Sequence, residues 1–279
     1  MKSPKELSIN EKLITITKEI IELTEEKDEL PLKILERLID DEEIQAIQDY
    51  ANSVAIVRLG FNDHGPVHMR TVCRNALKMI KILHQGNIQT SLEKEQTGTF
   101  TDSLCAVIMA GFMHDFGMTI GRQDHELYSG IISYNIINRI LEEFLPGAQN
   151  LKRRIIIRSL AMEGILGHMG TRKIHSLEAG LIQIADGCDM TKGRARIPME
   201  LNKNNPTVGD IHKYSANSIE KVKILAGTES PIRIEVHMSA DVGFFQIEEV
   251  LLQKINGSPA KKLIELFAGV NGAEMKKYL

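Results

Sequence analysis

A mostly α fold is expected for this chain: an all-α helical core with further helices at its N-terminus and a small α+β module at its C-terminus. Three observations predict it. Apolar residues recur at helical spacing through roughly the first 200 positions, with almost no two-residue alternation among them. Pro31, Pro66, Pro146 and Gly147 punctuate that stretch where helices would start or stop. After Pro206 the texture changes, and apolar and polar residues alternate over 218–225 and 231–239. At 279 residues there is room for one large domain or two modest ones. These changes in texture divide the chain into an N-terminal helical cap over 1–58, a central helical domain over 59–205 and the α+β module over 206–279.

Each element follows from its local pattern. Residues 9–57 read as two or three helices, the first carried by Leu13, Ile16, Ile20 and Leu23, the second opened by Pro31 with Ile34, Leu35 and Leu38 on one face. The charged turn EEKD at 25–28 separates them. A helix over 66–84 starts at Pro66, whose missing N–H is harmless at a first helical position. Polar residues 88–101 read as a loop. A strongly apolar helix, SLCAVIMAGFM, then ends at HDFG, where Gly117 suits a position just past a helix C-terminus. Further helices are expected at 125–145, 150–166 and 175–190. In the module, Ile234, Val236 and Met238 share one strand face, ADVG at 240–243 makes a turn and 247–255 is helical. KKLIELFAGV closes the unit as helix or strand, and no internal repeat is present.

Composition narrows the function classes. Lys and Arg number 34 against 37 Asp and Glu, so no bulk charge draws the chain to nucleic acid or to an anionic membrane. Aromatic residues are only 5%, with no Trp, which argues against a base-stacking platform. Cys73, Cys105 and Cys188 are odd in number and far apart, the pattern of reduced thiols in a cytoplasmic protein. The start has no apolar core of a secretory signal. The longest apolar run, Leu104–Met113, falls well short of the roughly 20 residues that span a bilayer.

Chemistry gathers in the middle of the chain, where histidines alternate with aspartates: Asp63-His64, His68, His114-Asp115, Asp124-His125, His168, Asp186 and Asp189. Imidazole and carboxylate together are what a divalent transition metal binds. An apolar helix that delivers His114 and Asp115 to one point would bury two polar groups at a cost of several kcal/mol if they stayed unpaired, and a metal removes that penalty. Each residue has a plainer reading beside this one. His64 is equally a capping or surface residue, Asp124 a helix cap, and Asp189 a residue serving the next turn.

Three lines of the sequence, HMRTVCRNAL, AVIMAGFMHDFGMT and LIQIADGCDM, resemble the H…HD…D pattern of the HD superfamily of metal-dependent phosphohydrolases. The resemblance covers about residues 60–197 and implies an all-α HD-domain core. It implies that His68, His114, Asp115 and Asp186 are primary metal ligands, with Asp115 the catalytic carboxylate. The stretch HELYSGIISYNII resembles a helix of the two-metal members, among them the HD-GYP phosphodiesterases, and by that likeness His125 and His168 hold a second metal bridged through Asp115. The chain also departs from the pattern. Met118 stands where many members have a phosphate-contacting Lys, and neither adjacent histidines nor a Gly-Tyr-Pro segment is present around His168. In some three-metal relatives a carboxylate stands four residues before the first ligand; here His64 does, as a possible further ligand.

The resemblance thus implies a metal-dependent phosphohydrolase with two divalent ions. A histidine-rich shell suits Mn, Fe, Ni, Co or Zn better than Mg. The expected substrate is a nucleotide or another small phosphorylated metabolite. Its phosphate is expected on Lys192, Arg194 and Arg196, with Arg172 and Lys173 next; solvated surface charge is the alternative for each. The competing reading is a catalytically weak HD domain that serves as a nucleotide-binding sensor or interaction module. The C-terminal module carries no ligand cluster, since His212 and His237 stand alone, and is expected to support a homodimer or to shape access to the pocket without taking part in chemistry.

Overall fold

The computed structural model describes residues 2–191 and 211–279. Its helices are α1 (Pro4–Leu23), α2 (Leu30–Asp40), α3 (Glu42–Ser53), α4 (Pro66–Gln85), the single turn α5 (Ser91–Lys94), α6 (Phe100–Met113), α7 (His125–Phe144), α8 (Leu151–Gly167), α9 (Leu177–Gly187) and α10 (Ile211–Ser218). The strands β1 (Ile219–Ala226) and β2 (Ile232–Met238) follow. A helical segment over 244–257 comes next, made of α11 (Phe244–Gln246), a π-turn and α12 (Leu252–Gly257), and then β3 (Ile264–Val270) and β4 (Lys276–Lys277). The fold is mostly α with a small four-stranded sheet at the C-terminal end, as expected. Among the described residues, no helix is long and apolar enough to cross a membrane.

Helix starts follow the local chemistry. Ser3 and Thr99 each close a capping box, with Glu6 and Asp102 respectively reaching back to the cap N–H. The whole of α6 is buried, packed against α2, α4, α8 and α9. Its approach to α4 is close enough that a Cβ on Gly111 would stand 2.6 Å from the Cys73 Cα, so only glycine fits.

Gly117 departs from its expected part. Helix α6 ends at Met113, and Gly117 lies inside a 3₁₀ turn over Phe116–Thr119 that packs on α7. A Cβ there would meet the His125 carbonyl oxygen at 1.9 Å. Close approach of two backbones, not a left-handed cap, is what requires this glycine. Asp124 does stand at the N-cap of α7, yet its side chain makes no cap hydrogen bond and its φ is +52°.

The C-terminal alternation becomes sheet. Ile232, Ile234, Val236 and Met238 are the buried face of β2. Strand β1 pairs antiparallel with β2, β3 runs parallel to β2 on its other side, and KKLIELFAGV resolves as a 3₁₀ turn over Lys261–Leu263 followed by strand. A parallel pair needs a crossover, and the 244–257 segment supplies it. This crossover packs against α9 while β1 and β2 lie against α4. One hydrophobic cluster runs from Ile9 and Leu13 through Phe112 and Ile182 to Ile234 and Ala268. The sheet is thereby seated on the helices that carry the histidines and aspartates.

Candidate metal centre

Five helix ends converge on one buried point. His68 lies in the first turn of α4, His114 and Asp115 directly follow α6, His125 opens α7, His168 caps α8, and Asp186 lies one residue before the end of α9. Helix C-termini leave carbonyls without partners, and two of the histidines use them. The Nδ1–H of His114 donates to the Gly111 carbonyl at 3.1 Å and that of His168 to the Ile165 carbonyl at 2.7 Å, both three residues back. His125 does the same with the Arg122 carbonyl at 2.9 Å, and His68 donates to Asp189 Oδ2 at 2.7 Å. With Nδ1 committed in every case, all four rings turn Nε2 to the centre. Such outer partners set ring orientation and tautomer for metal ligation.

The two oxygens of Asp115 divide the centre. Oδ2 lies 3.1 Å from His68 Nε2 and 3.5 Å from His114 Nε2, while Asp186 Oδ1 is 3.2 Å from His68 Nε2. Oδ1 lies 3.2 Å from His125 Nε2 and 3.4 Å from His168 Nε2. Ligand atoms of His68, His114 and Asp186 lie within 4.8 Å of one another, and so do those of His114, Asp115 and His168. These buried His and Asp groups could hold metal ions.

The donor set fits a cation for an electrostatic reason. Burial foremost pushes the His168 imidazole down to about 4, against the pull of Asp115, so the ring is neutral at pH 7. Its Nε2 then carries a lone pair that faces the Asp115 carboxylate and the His125 Nε2, the latter at 3.1 Å. Burial would raise Asp115, but His114, His125 and His168 hold it well below the usual carboxylate range. Lone pairs and an anionic oxygen pointed at one space repel unless a positive ion lies among them.

This neutrality predicts a pH dependence. An unfolded histidine titrates near 6.5, so between that value and about 4 the unfolded chain takes up a proton that folded His168 refuses. The stability contributed by neutral His168 is fully present above pH 6.5 and is lost as pH falls through that window. Urea denaturation of metal-stripped protein should show the midpoint falling from pH 7 to pH 4.5, and falling less in His168→Gln. Parallel pH curves for the two proteins would contradict the assignment.

Around the centre lies a cavity of about 710 Å³, lined among others by His64, Asp115, Arg122, Asp186, Asp189 and Lys254. His64 is at its wall, its ring centroid 5.7 Å from that of His68 and its Nδ1 2.6 Å from the Asn62 carbonyl oxygen. It stands at the edge of the cluster. Met118 is fully buried in the core. Arg172 and Lys173 lie elsewhere, on a separate groove of about 540 Å³ beside Tyr134 and Arg158. Lys192, Arg194 and Arg196 fall outside the described residues.

Sequence reasoning missed two cations of this cavity, Arg122 and Lys254. Lys254 comes from α12 in the C-terminal module, donates to the His168 carbonyl at 2.9 Å and pairs with Asp186 Oδ2. Burial would raise the Asp186 carboxyl, and Lys254, with His68 and His114, instead holds it well below its ordinary value. The module, expected to support a homodimer or to shape access to the pocket, therefore reaches the centre itself through Lys254. Asp189, for which the sequence left open a place in the cluster or a role in the next turn, hydrogen-bonds His68 Nδ1 and orients its ring.

No family model matches the chain, and no solved structure matches it. It is similar to the uncharacterized protein MJ1020 of Methanocaldococcus jannaschii, with 37% identity over 241 residues that cover 86% of this chain and 90% of that protein.

Proposed function

The chain belongs to one family with that archaeal protein, and we propose that it is a phosphohydrolase of the HD superfamily, with two divalent metal ions, that cleaves a phosphoester of a nucleotide or another small phosphorylated metabolite. The observation that carries this reading is the division of Asp115: each of its oxygens faces its own pair of imidazole Nε2 atoms. His68, His114, Asp115 and Asp186 would hold one ion, and His125, His168 and Asp115 the other. Mn, Fe, Ni, Co and Zn suit this imidazole-rich set. Bound there, divalent ions lower the pKa of water and offset charge on phosphoryl oxygens.

The protein's own groups do the rest. Asp186 presents Oδ1 to the centre because Lys254 holds Oδ2, so the ligand is fixed in orientation. Asp189 fixes the His68 ring in the same way. Arg122, exposed on the cavity wall, is placed to meet a phosphate in two-point fashion, the part that Met118 cannot play. The cavity of about 710 Å³ lies in the usual range for small-molecule sites and suits a nucleotide better than a polymer.

The test is metal content by elemental analysis, followed by a screen of nucleotides and phosphomonoesters with each candidate metal. Hydrolysis that chelation abolishes and metal restores is expected. A fully metal-loaded protein inert across such a screen would overturn the enzymatic reading. On the substrate so found, Arg122→Ala should lower kcat/KM by about ten- to a hundred-fold, the worth of one charge-assisted contact. Metal content should stay unchanged. Wild-type kinetics in that variant would return Arg122 to the solvated surface.

A further inference from the structure

A second cavity, of about 340 Å³, opens between α1, α4 and β1. Its walls are unusually basic. Lys5 and Lys12 stand with Ser8 at positions i, i+7 and i+3 along α1, and Thr71, Arg74 and Lys78 repeat the same spacing along α4. Each trio therefore lies on one helix face. Lys221 of β1 completes the ring. None of these five cations forms an ion pair among the described residues. The three acidic residues at the cavity have partners of their own, Asp189 accepting from His68, Asp63 from the Gly65 N–H and Glu220 from Asn271, and Asp189 also offsets part of the charge of Arg74.

This arrangement is costly as it stands. Arg74 and Lys78 are half-buried on neighbouring turns of α4. Burial lowers the pKa of Lys78, and the like charges of Arg74, Lys221 and Lys12 lower it further. Burial likewise lowers Arg74, with Asp189 opposing. Hydrophobic packing does not need five cations gathered at one seam, and a surface of free lysines would spread them. An anion with several charges removes the repulsion and replaces the lost hydration of the half-buried pair.

We propose that the basic cleft walled by Lys12, Arg74, Lys78 and Lys221 is a binding site for an oligophosphate, either free or as the tail of a nucleotide, separate from the metal centre. Cations outnumber the carboxylates Asp63, Asp189 and Glu220 on these walls by five to three, and they come from three elements, so a chain of phosphoryl groups can meet cations of α1, α4 and β1 together where a single phosphate meets fewer. Asp189 lines both cavities and hydrogen-bonds His68, so the two sites share a wall residue. The proposal does not depend on what reaction the metal centre performs.

The test is calorimetric titration of inorganic tripolyphosphate into the full chain, at constant ionic strength so that screening is equal throughout. Titrations are made on the metal-loaded protein, after chelation, and in the Asp115→Asn variant. Saturable binding is expected to survive chelation and Asp115→Asn. It should weaken about tenfold or more in the double variant Arg74→Gln, Lys78→Gln, with the helical signal in circular dichroism unchanged. Arg74→Lys, Lys78→Arg keeps the charges and should bind within a few-fold of wild type, which separates loss of the site from loss of the fold. A nucleoside triphosphate binding much tighter than tripolyphosphate identifies the nucleotide as the source, and equal affinity identifies free oligophosphate. Absence of binding after chelation, or binding indifferent to the double charge removal, overturns the proposal.

Discussion

Asp115→Ala should leave the protein without metal and without hydrolytic activity. The carboxylate is buried, and its two oxygens lie 3.1–3.5 Å from the Nε2 atoms of four histidines. Its two oxygens face different pairs of imidazoles, so its loss weakens both ion positions at once. Removing an outer partner of a metal ligand already lowers affinity about 10–100-fold, and removing a shared ligand should exceed that. Elemental analysis after dialysis should find under a tenth of the wild-type metal, and turnover on the best substrate should fall by more than about a hundredfold. Full metal occupancy in the variant would remove Asp115 from the centre and the proposed two-ion arrangement with it.

Lys254→Met should have the next largest effect, and its size depends on metal. Lys254 and Asp186 form a nearly buried ion pair, with the ammonium also bonded to the His168 carbonyl. Breaking a buried pair by removing one partner typically costs about 3–5 kcal/mol, because the remaining charge is stranded. Metal-stripped Lys254→Met should therefore unfold at markedly lower denaturant than stripped wild type. Metal at the centre compensates Asp186 from its other oxygen, so the gap should shrink when both proteins are loaded. Equal destabilisation in the loaded and stripped forms would show that Lys254 acts only in packing.

Much of the helical order was legible because its signals are local. Pro66 opened α4, the apolar run ended at His114, and Pro146-Gly147 broke α7 from α8. The strands after Pro206 were legible from alternation, with Ile234, Val236 and Met238 buried as expected. KKLIELFAGV was ambiguous, since a short apolar run suits helix and strand alike; the parallel partner β2 decided it as strand. Gly117 was misjudged because a close approach of α7, 8–12 residues further along the chain, leaves no local mark.

By itself the sequence singled out the candidate metal ligands. His68, His114, Asp115, His125, His168 and Asp186 stand out because histidines and aspartates alternate there and are expensive to bury alone. Only the tertiary structure decided their division into two groups about Asp115, since that depends on rings rotated by carbonyls three residues back and by Asp189. It alone brought Lys254 to Asp186, across 68 residues, through the packing of α12 on α9. It alone faced the Lys5–Lys12 stripe with the Arg74–Lys78 stripe. Helical spacing can be read along one chain, but which faces meet is set by the burial of Leu13, Phe112 and their neighbours in a shared core, a property of the whole fold.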